Sequence, residues 1–234
     1  MSECCPFPMA IAIDGPAGAG KSTVAKMLAN RLRFCHIDTG AMYRAITLAA
    51  LRLDLDLDND QQVAKLAEHL ELDIRPASDT MHIFLNGEDI TELIRDPSVS
   101  ANVSRVARLA SVRSQLVRWQ RQLAQSQCVV MDGRDIGTHV LPDAPLKVFL
   151  TASLAERARR RMQELADKGL STAISQVQAD IATRDEIDSK REASPLARAL
   201  DAVEIDTSQL SAEQAVEKIL HLAKIRGIKK PTGE

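Results

Sequence analysis

Gly15-Pro16-Ala17-Gly18-Ala19-Gly20-Lys21-Ser22 follows a short apolar run, Met9–Asp14, and opens a segment in which Val24, Met27, Leu28 and Leu32 recur at helical spacing. The eight residues match G-x-x-x-x-G-K-[ST] without a mismatch, and the strand before and helix after are the surroundings that pattern needs. Glycines let successive backbone N–H groups turn inward onto phosphate oxygens, and a helix starting at Lys21 adds the positive end of its dipole. Gly15, Gly18, Ala19, Gly20, Lys21, Ser22 and Thr23 therefore read as a cradle for a nucleoside triphosphate. Lys21 reaches the terminal phosphates, and the Ser22 hydroxyl is placed to ligate Mg2+, directly or through water. The loop predicts a triphosphate but leaves the reaction open.

Outward from the loop, apolar strand patterns alternate with helical ones. Strands are expected at Met9–Asp14, Phe34–Ile37, Cys128–Met131, Leu146–Leu150 and Ala202–Ile205. Helices are expected from Lys21, from Asp38-Thr39-Gly40 to about Leu53, and over Arg105–Gln125, Leu154–Lys168, Ser175–Ile187 and Glu213–Ile225. That alternation predicts an α/β fold with a mostly parallel sheet flanked by helices. Asp14, Asp38, Asp132 and Asp206 fall near strand ends, where open α/β sheets bind ligands. One stretch departs from the plan. Leu72–Ile74, His82–Leu85 and Glu88–Ile90 look like short strands, with the hairpin dipeptide Asn86-Gly87 between the last two. About Asp58–Pro97 reads as a small antiparallel-sheet insert without chemistry of its own.

The 234 residues suit one large domain or a core with appendages, and 45% apolar with 26% charged residues is close to globular averages. The net charge of −2 gives no bulk case for nucleic acid or an anionic membrane, so anion binding must come from local arginines. Aromatics at 3% likewise offer little stacking surface for nucleic acid. No run of 18 apolar residues is present, and Met1–Pro8 lacks the basic and apolar regions of a signal peptide. A cytoplasmic protein is expected. Cys4, Cys5, Cys35 and Cys128 lack metal-ligand spacing, and free thiols are expected.

Three further clusters narrow the chemistry. Asp38-Thr39-Gly40-Ala41-Met42-Tyr43-Arg44 places the chain's one tyrosine and an arginine a helical turn beyond Thr39, which suits a planar anionic acceptor. Asp132-Gly133-Arg134-Asp135-Ile136-Gly137 sets two acids around an arginine at a strand end. Arg157, Arg159, Arg160 and Arg161 precede Arg184-Asp185-x-x-Asp188-x-x-Arg191. Arginine's fork of donors binds phosphate bidentately and keeps its charge.

Taken together, the loop through Thr23, Asp38–Arg44, the sheet insert, Ser111–Arg121, Asp132–Thr138 and Arg184–Arg191 resemble the bacterial cytidylate kinases, a branch of the nucleoside monophosphate kinases. The resemblance runs from Ile11 to about Ala223. It implies an ATP:CMP phosphotransferase that also takes dCMP, with Mg2+ as cofactor, and it leans toward a monomer. It further implies a P-loop core over 1–37, 99–154 and 170–234, a nucleotide-monophosphate region over 38–98, and a short helical lid over 155–169. Carried over by position, Ser104, Arg113 and Asp135 would read the cytosine. Arg44, Arg134 and Arg191 would hold the CMP phosphate beside Thr39 and Tyr43, with Arg184 and Asp188 at the ribose. Arg157 and Arg161 would meet ATP phosphates, and Lys21, Arg134, Arg159 and Arg191 would act in catalysis. A run of four near neighbours permits a shift by one, so the division of labour among the lid arginines, Arg160 included, stays open.

The base reading has a physical basis. Cytosine presents an amino donor beside two acceptors, which a carboxylate and an arginine complement; uracil reverses the pattern, at a cost of a few kcal/mol in a desolvated site. Other small-molecule P-loop kinases, acting on another nucleotide, shikimate or a sugar acid, share the loop but have no base to read. A GTP-dependent switch is disfavoured by the absence of N-K-x-D, and a non-catalytic regulator by the presence of Lys21 and the acceptor arginines.

Overall fold

The structure is a computed structural model and describes residues 9–76, 81–167 and 169–230. Cys4 and Cys5, and the last four residues of the tail, lie outside the described residues. Five strands form one parallel sheet: β1 (Ala10–Asp14), β2 (Cys35–Asp38), β6 (Val129–Asp132), β7 (Leu146–Thr151) and β8 (Val203–Asp206), in the order β2-β6-β1-β7-β8. Parallel register aligns Ile13 with Asp132 and Val148, and Asp38 with Asp132, so the carboxyl ends of the central strands finish together.

Period-two side-chain alternation gives each face of the sheet its own core. Ala12, Ile37, Val129 and Met131 face the side covered by α2 (Thr39–Arg52), α3 (Asp60–His69), α4 (Pro97–Ala107) and α5 (Ala110–Ser126). Ile11, Ile13, Val130 and Val148 face α1 (Lys21–Leu32) and α8 (Ala212–Ile225). Side-chain caps fix several helix starts. Asp38 accepts the Ala41 N–H, Asn59 accepts that of Gln62, and Ser211 with Gln214 forms a capping box.

The insert carries the expected antiparallel sheet, β3 (Leu72–Pro76), β4 (Met81–Leu85) and β5 (Glu88–Asp89). It also contains α3, which the strand-centred reading passed over although Asn59 caps it and Val63 and Ala67 face the core at helical spacing. The single helix expected over Arg105–Gln125 is in fact two. Leu109 has extended backbone between α4 and α5, and the freed Ala107 carbonyl accepts a bond from Arg113 at 3.1 Å. No proline or glycine marks that break. Beyond β7, α6 (Leu154–Asp167) packs on α7 (Ile174–Lys190) through a small cluster of Ala158, Val177 and Ile181. Cys35 and Cys128 are both free thiols. No helix among the described residues is long and apolar enough to cross a membrane.

Candidate active site

The phosphate-loop motif occupies the turn between β1 and α1, and its glycines are sterically required. Gly15 has φ +147°, and a Cβ there would stand 1.9 Å from the Leu150 carbonyl oxygen of the neighbouring strand. Gly20 takes the left-handed conformation and begins α1 without a side-chain cap, leaving the first-turn N–H groups for a ligand. The Ala19 carbonyl accepts from the Thr207 hydroxyl at 3.2 Å, and Ser22 and Thr23 stand exposed on the first turn of the helix. Lys21 is buried, its ammonium donating to the Pro16 carbonyl at 2.7 Å. Burial, then the like charges of Arg134 and Arg184, push its pKa well below the ordinary lysine value, against the pull of Asp132 and Asp14.

Ser22 donates to Asp132 Oδ2 at 2.7 Å, and the other oxygen of that buried carboxylate meets His36 Nε2 at 2.7 Å. Burial disfavours the charged imidazole, but the bond to Asp132 and the charges of Asp132 and Asp38 outweigh it and raise the His36 pKa. The sequence singled out Asp132 but gave it no role, and it passed over His36. The signal for Asp132 lay in its place at a strand end; nothing in the sequence pairs it with His36.

The acceptor-side residues converge on the loop that follows β6. Thr39 donates to the Asp132 carbonyl at 2.7 Å, and Arg44 pairs with the α2 cap Asp38 at 2.8 Å. Burial opposes ionisation of Asp38, yet Arg44 and His36 hold its pKa below the usual range. Gly133 is tightly enclosed, since a Cβ would meet Thr39 Oγ1 and Ile136 Cδ1, each at 2.6 Å. The next two side chains diverge. Arg134 donates to Asp188 of α7 at 2.8 Å, whereas Asp135, 4% exposed, pairs with Arg113 on one oxygen and Arg191 at 3.3 Å on the other. After them the chain makes one wide π turn, Ile136–Val140, a helical distortion common at functional sites. Asp14 anchors that turn by accepting the N–H groups of Ile136 at 2.8 Å and Gly137 at 2.7 Å. Burial carries the Asp14 pKa up to about 6 despite those two bonds.

Tyr43 lies under the Arg113 guanidinium, 5.5 Å from ring centroid to carbon, and its burial raises the phenol to about 12. Ser104 is buried at the end of α4, close in sequence to the break that aims Arg113. Arg184 feels burial first and the like charge of Arg134 next, which lower its pKa to about 10. Its Nε, with those of Arg44 and Arg113, is buried without a hydrogen-bond partner. Lys21, Arg134 and Arg184 thus crowd one another, a surplus of positive charge with unspent donors, which is an anion site by chemistry.

The four arginines of α6 part company. Arg157 is buried against the phosphate loop, donating to the Ala17 carbonyl at 3.0 Å. Arg160 binds Glu156 and the Thr207 carbonyl, and Arg161 pairs with Glu164 while its charge still reaches Arg184. Arg159 is turned to solvent, its side chain 66% exposed and tied to Glu156. The structure does not bring Arg159 to the cluster, because one step along a helix rotates a side chain by about 100°.

The fold and site define a class: an α/β P-loop protein whose phosphate-loop motif faces a cluster of arginines. A family model described as cytidylate kinase matches residues 11–225. The chain belongs to the cytidylate kinase family. It is 50% identical over 214 residues to a cytidylate kinase of Bacillus cereus (strain ATCC 10987 / NRS 248), covering 92% of this chain and 95% of that one. A cytidylate kinase of Bacillus thuringiensis (strain Al Hakam) is also 50% identical, over 212 residues, with 91% and 94% covered. Among solved structures, an uncharacterized protein from Eubacterium ventriosum ATCC 27560 superposes with a TM-score of 0.50 at 14% identity, over 92% of this chain and 98% of that chain. That likeness concerns the fold alone.

Proposed function

We propose that the chain transfers the terminal phosphoryl group of ATP to CMP, and to dCMP, giving ADP and the nucleoside diphosphate. The observation that carries the reading is the divergence of two consecutive side chains. Arg134 joins the charge cluster of Lys21 and Arg184, while Asp135 turns away to pair with the buried Arg113. A monophosphate held by the first and a base read by the second describe one small nucleotide.

On this reading Gly15–Thr23 cradle the ATP phosphates. Arg44, Arg134 and Arg191, with Thr39 and Tyr43, hold the CMP phosphate; Arg184 and Asp188 address the ribose; Ser104, Arg113 and Asp135 read the cytosine. The nucleophile is an oxygen of the CMP phosphate, already anionic near neutral pH, so no general base is needed. Catalysis is positioning and charge neutralisation by Lys21 and the arginines. The phosphates restore the favourable partner that burial and like charge deny Lys21. Ser22 and Asp132 offer a hydroxyl and a carboxylate, the hard oxygens that suit Mg2+, an ion that takes few protein ligands and completes its shell with phosphates and water. Bound there, Mg2+ would neutralise charge on the transferring phosphates.

The core, the nucleotide-monophosphate region over 38–98 and the lid over 155–169 divide the work, with Arg161 the lid arginine best placed to join the charge cluster. A monomeric, cytoplasmic enzyme with Mg2+ as cofactor completes the proposal. The test is coupled ADP release with ATP, Mg2+ and CMP, dCMP, UMP, AMP or shikimate in turn. Turnover with CMP and dCMP well above the others is expected; turnover only with another acceptor would overturn it.

A further inference from the structure

Asp185 belongs to the arginine-rich stretch of α7, yet the acceptor reading gives it no task. Its carboxylate and Arg157 close on a single residue of the phosphate loop, one at each of the two peptides that flank its Cα. Asp185 Oδ1 accepts the Ala17 N–H at 3.0 Å, and Arg157 donates to the Ala17 carbonyl at 3.0 Å. The two side chains pair with each other through Asp185 Oδ2, and Arg157 Nε is anchored on the Ala152 carbonyl at 3.0 Å. An ion pair that only joined α6 to α7 would have no need of the loop. Here both side chains also bind one residue of the loop, fixing the two peptide planes that meet at its Cα. The next residue shows the same closeness: a Cβ on Gly18 would stand 3.1 Å from Arg157 Cβ and 3.3 Å from its carbonyl oxygen. The Pro16 carbonyl, one residue earlier, is where Lys21 rests.

We infer that Asp185, acting with Arg157, is a positioning residue for the donor loop, setting the peptides on either side of Ala17 so that the loop's later N–H groups point at the ATP phosphates. Arg157 then serves phosphate binding through the loop. Asp185 sits on the stripe Val177–Ile181–Asp185 that packs α7 onto α6, and Asp188, a turn on, pairs with Arg134 on the acceptor side. One helix therefore holds both halves of the site.

The inference rests on the triphosphate reading of the loop but not on the identity of the acceptor, so binding is measured for each nucleotide separately. Calorimetric titration of the full chain with a non-hydrolysable ATP analogue and Mg2+, and separately with CMP, is the experiment. Asp185→Ala is expected to raise the ATP-analogue Kd about tenfold or more, and the CMP Kd by no more than about twofold. Asp185→Asn keeps an acceptor for the Ala17 N–H but loses the charge that pairs with Arg157, and falls between. Should Asp185→Ala fail to fold, Arg157→Lys gives the same direction, since an ammonium cannot span Ala152, Ala17 and Asp185 together. Gln115→Ala removes a buried hydrogen bond to the Ala67 carbonyl, 2.8 Å in the native chain and away from the loop. It lowers thermal stability without moving the ATP-analogue Kd, which separates positioning from general destabilisation. Unchanged ATP-analogue affinity in Asp185→Ala, or equal losses for both nucleotides, overturns the inference. Wild-type binding of the ATP analogue without phosphorylation of CMP would overturn the acceptor reading and leave this inference standing.

Discussion

Asp14 is a residue whose chemistry is at odds with its surroundings. It is buried, accepts two backbone N–H bonds, and still has its pKa raised to about 6. An acid whose folded pKa lies above its unfolded value stabilises the fold fully below the unfolded pKa, near 4. That contribution is lost as pH rises through about 6. Thermal melts from pH 4 to 7 are therefore expected to show wild type losing stability relative to Asp14→Asn, by at most roughly 3 kcal/mol. Parallel curves would contradict the burial account. Gly133 makes a second residue-scale prediction. Gly133→Ala drives a methyl into Thr39 and Ile136, both buried, and should cost about 1–3 kcal/mol in a denaturant titration. It should also raise the CMP KM more than the ATP KM, because Thr39 is displaced. Much of this was legible: the loop, Asp38–Arg44 and Asp132–Gly137 state their chemistry in local order. The role of Asp14 was not, because its partners are amides more than 120 residues away that no side-chain pattern advertises.

Elements of the sheet were readable because a buried parallel strand is a continuous apolar run bounded by turns. The break at Leu109 was not. No proline or glycine stands there, and at the break the Ala107 carbonyl is taken up by the Arg113 side chain. That kink turns one expected helix into two, the second of which carries Arg113 to Asp135. The α6 arginines show the same limit, since helical phase and not composition leaves Arg159 in solvent. For the proposed lid, α6 with its loop, the prediction concerns water. ATP hydrolysis without CMP should run at a small fraction of the CMP-dependent rate, because closure over both nucleotides excludes water. Phosphate release as fast without CMP as with it would contradict a gating lid.

At the scale of the molecule, parallel register sets the carboxyl ends of β1, β2 and β6 side by side. Asp14, Asp38 and Asp132, remote in sequence, thereby organise one site. The phosphate-loop motif and the arginines proposed for the acceptor meet there, and α7 touches both. The Arg113–Asp135 pair is proposed to choose the acceptor by its base. The most direct measurement is the ratio of kcat/KM for CMP to that for UMP, in wild type and in Asp135→Ala. A wild-type ratio of about tenfold or more, falling toward unity in the variant with ATP KM little changed, is the predicted result. A ratio that survives loss of the Asp135 carboxylate would place base selection elsewhere.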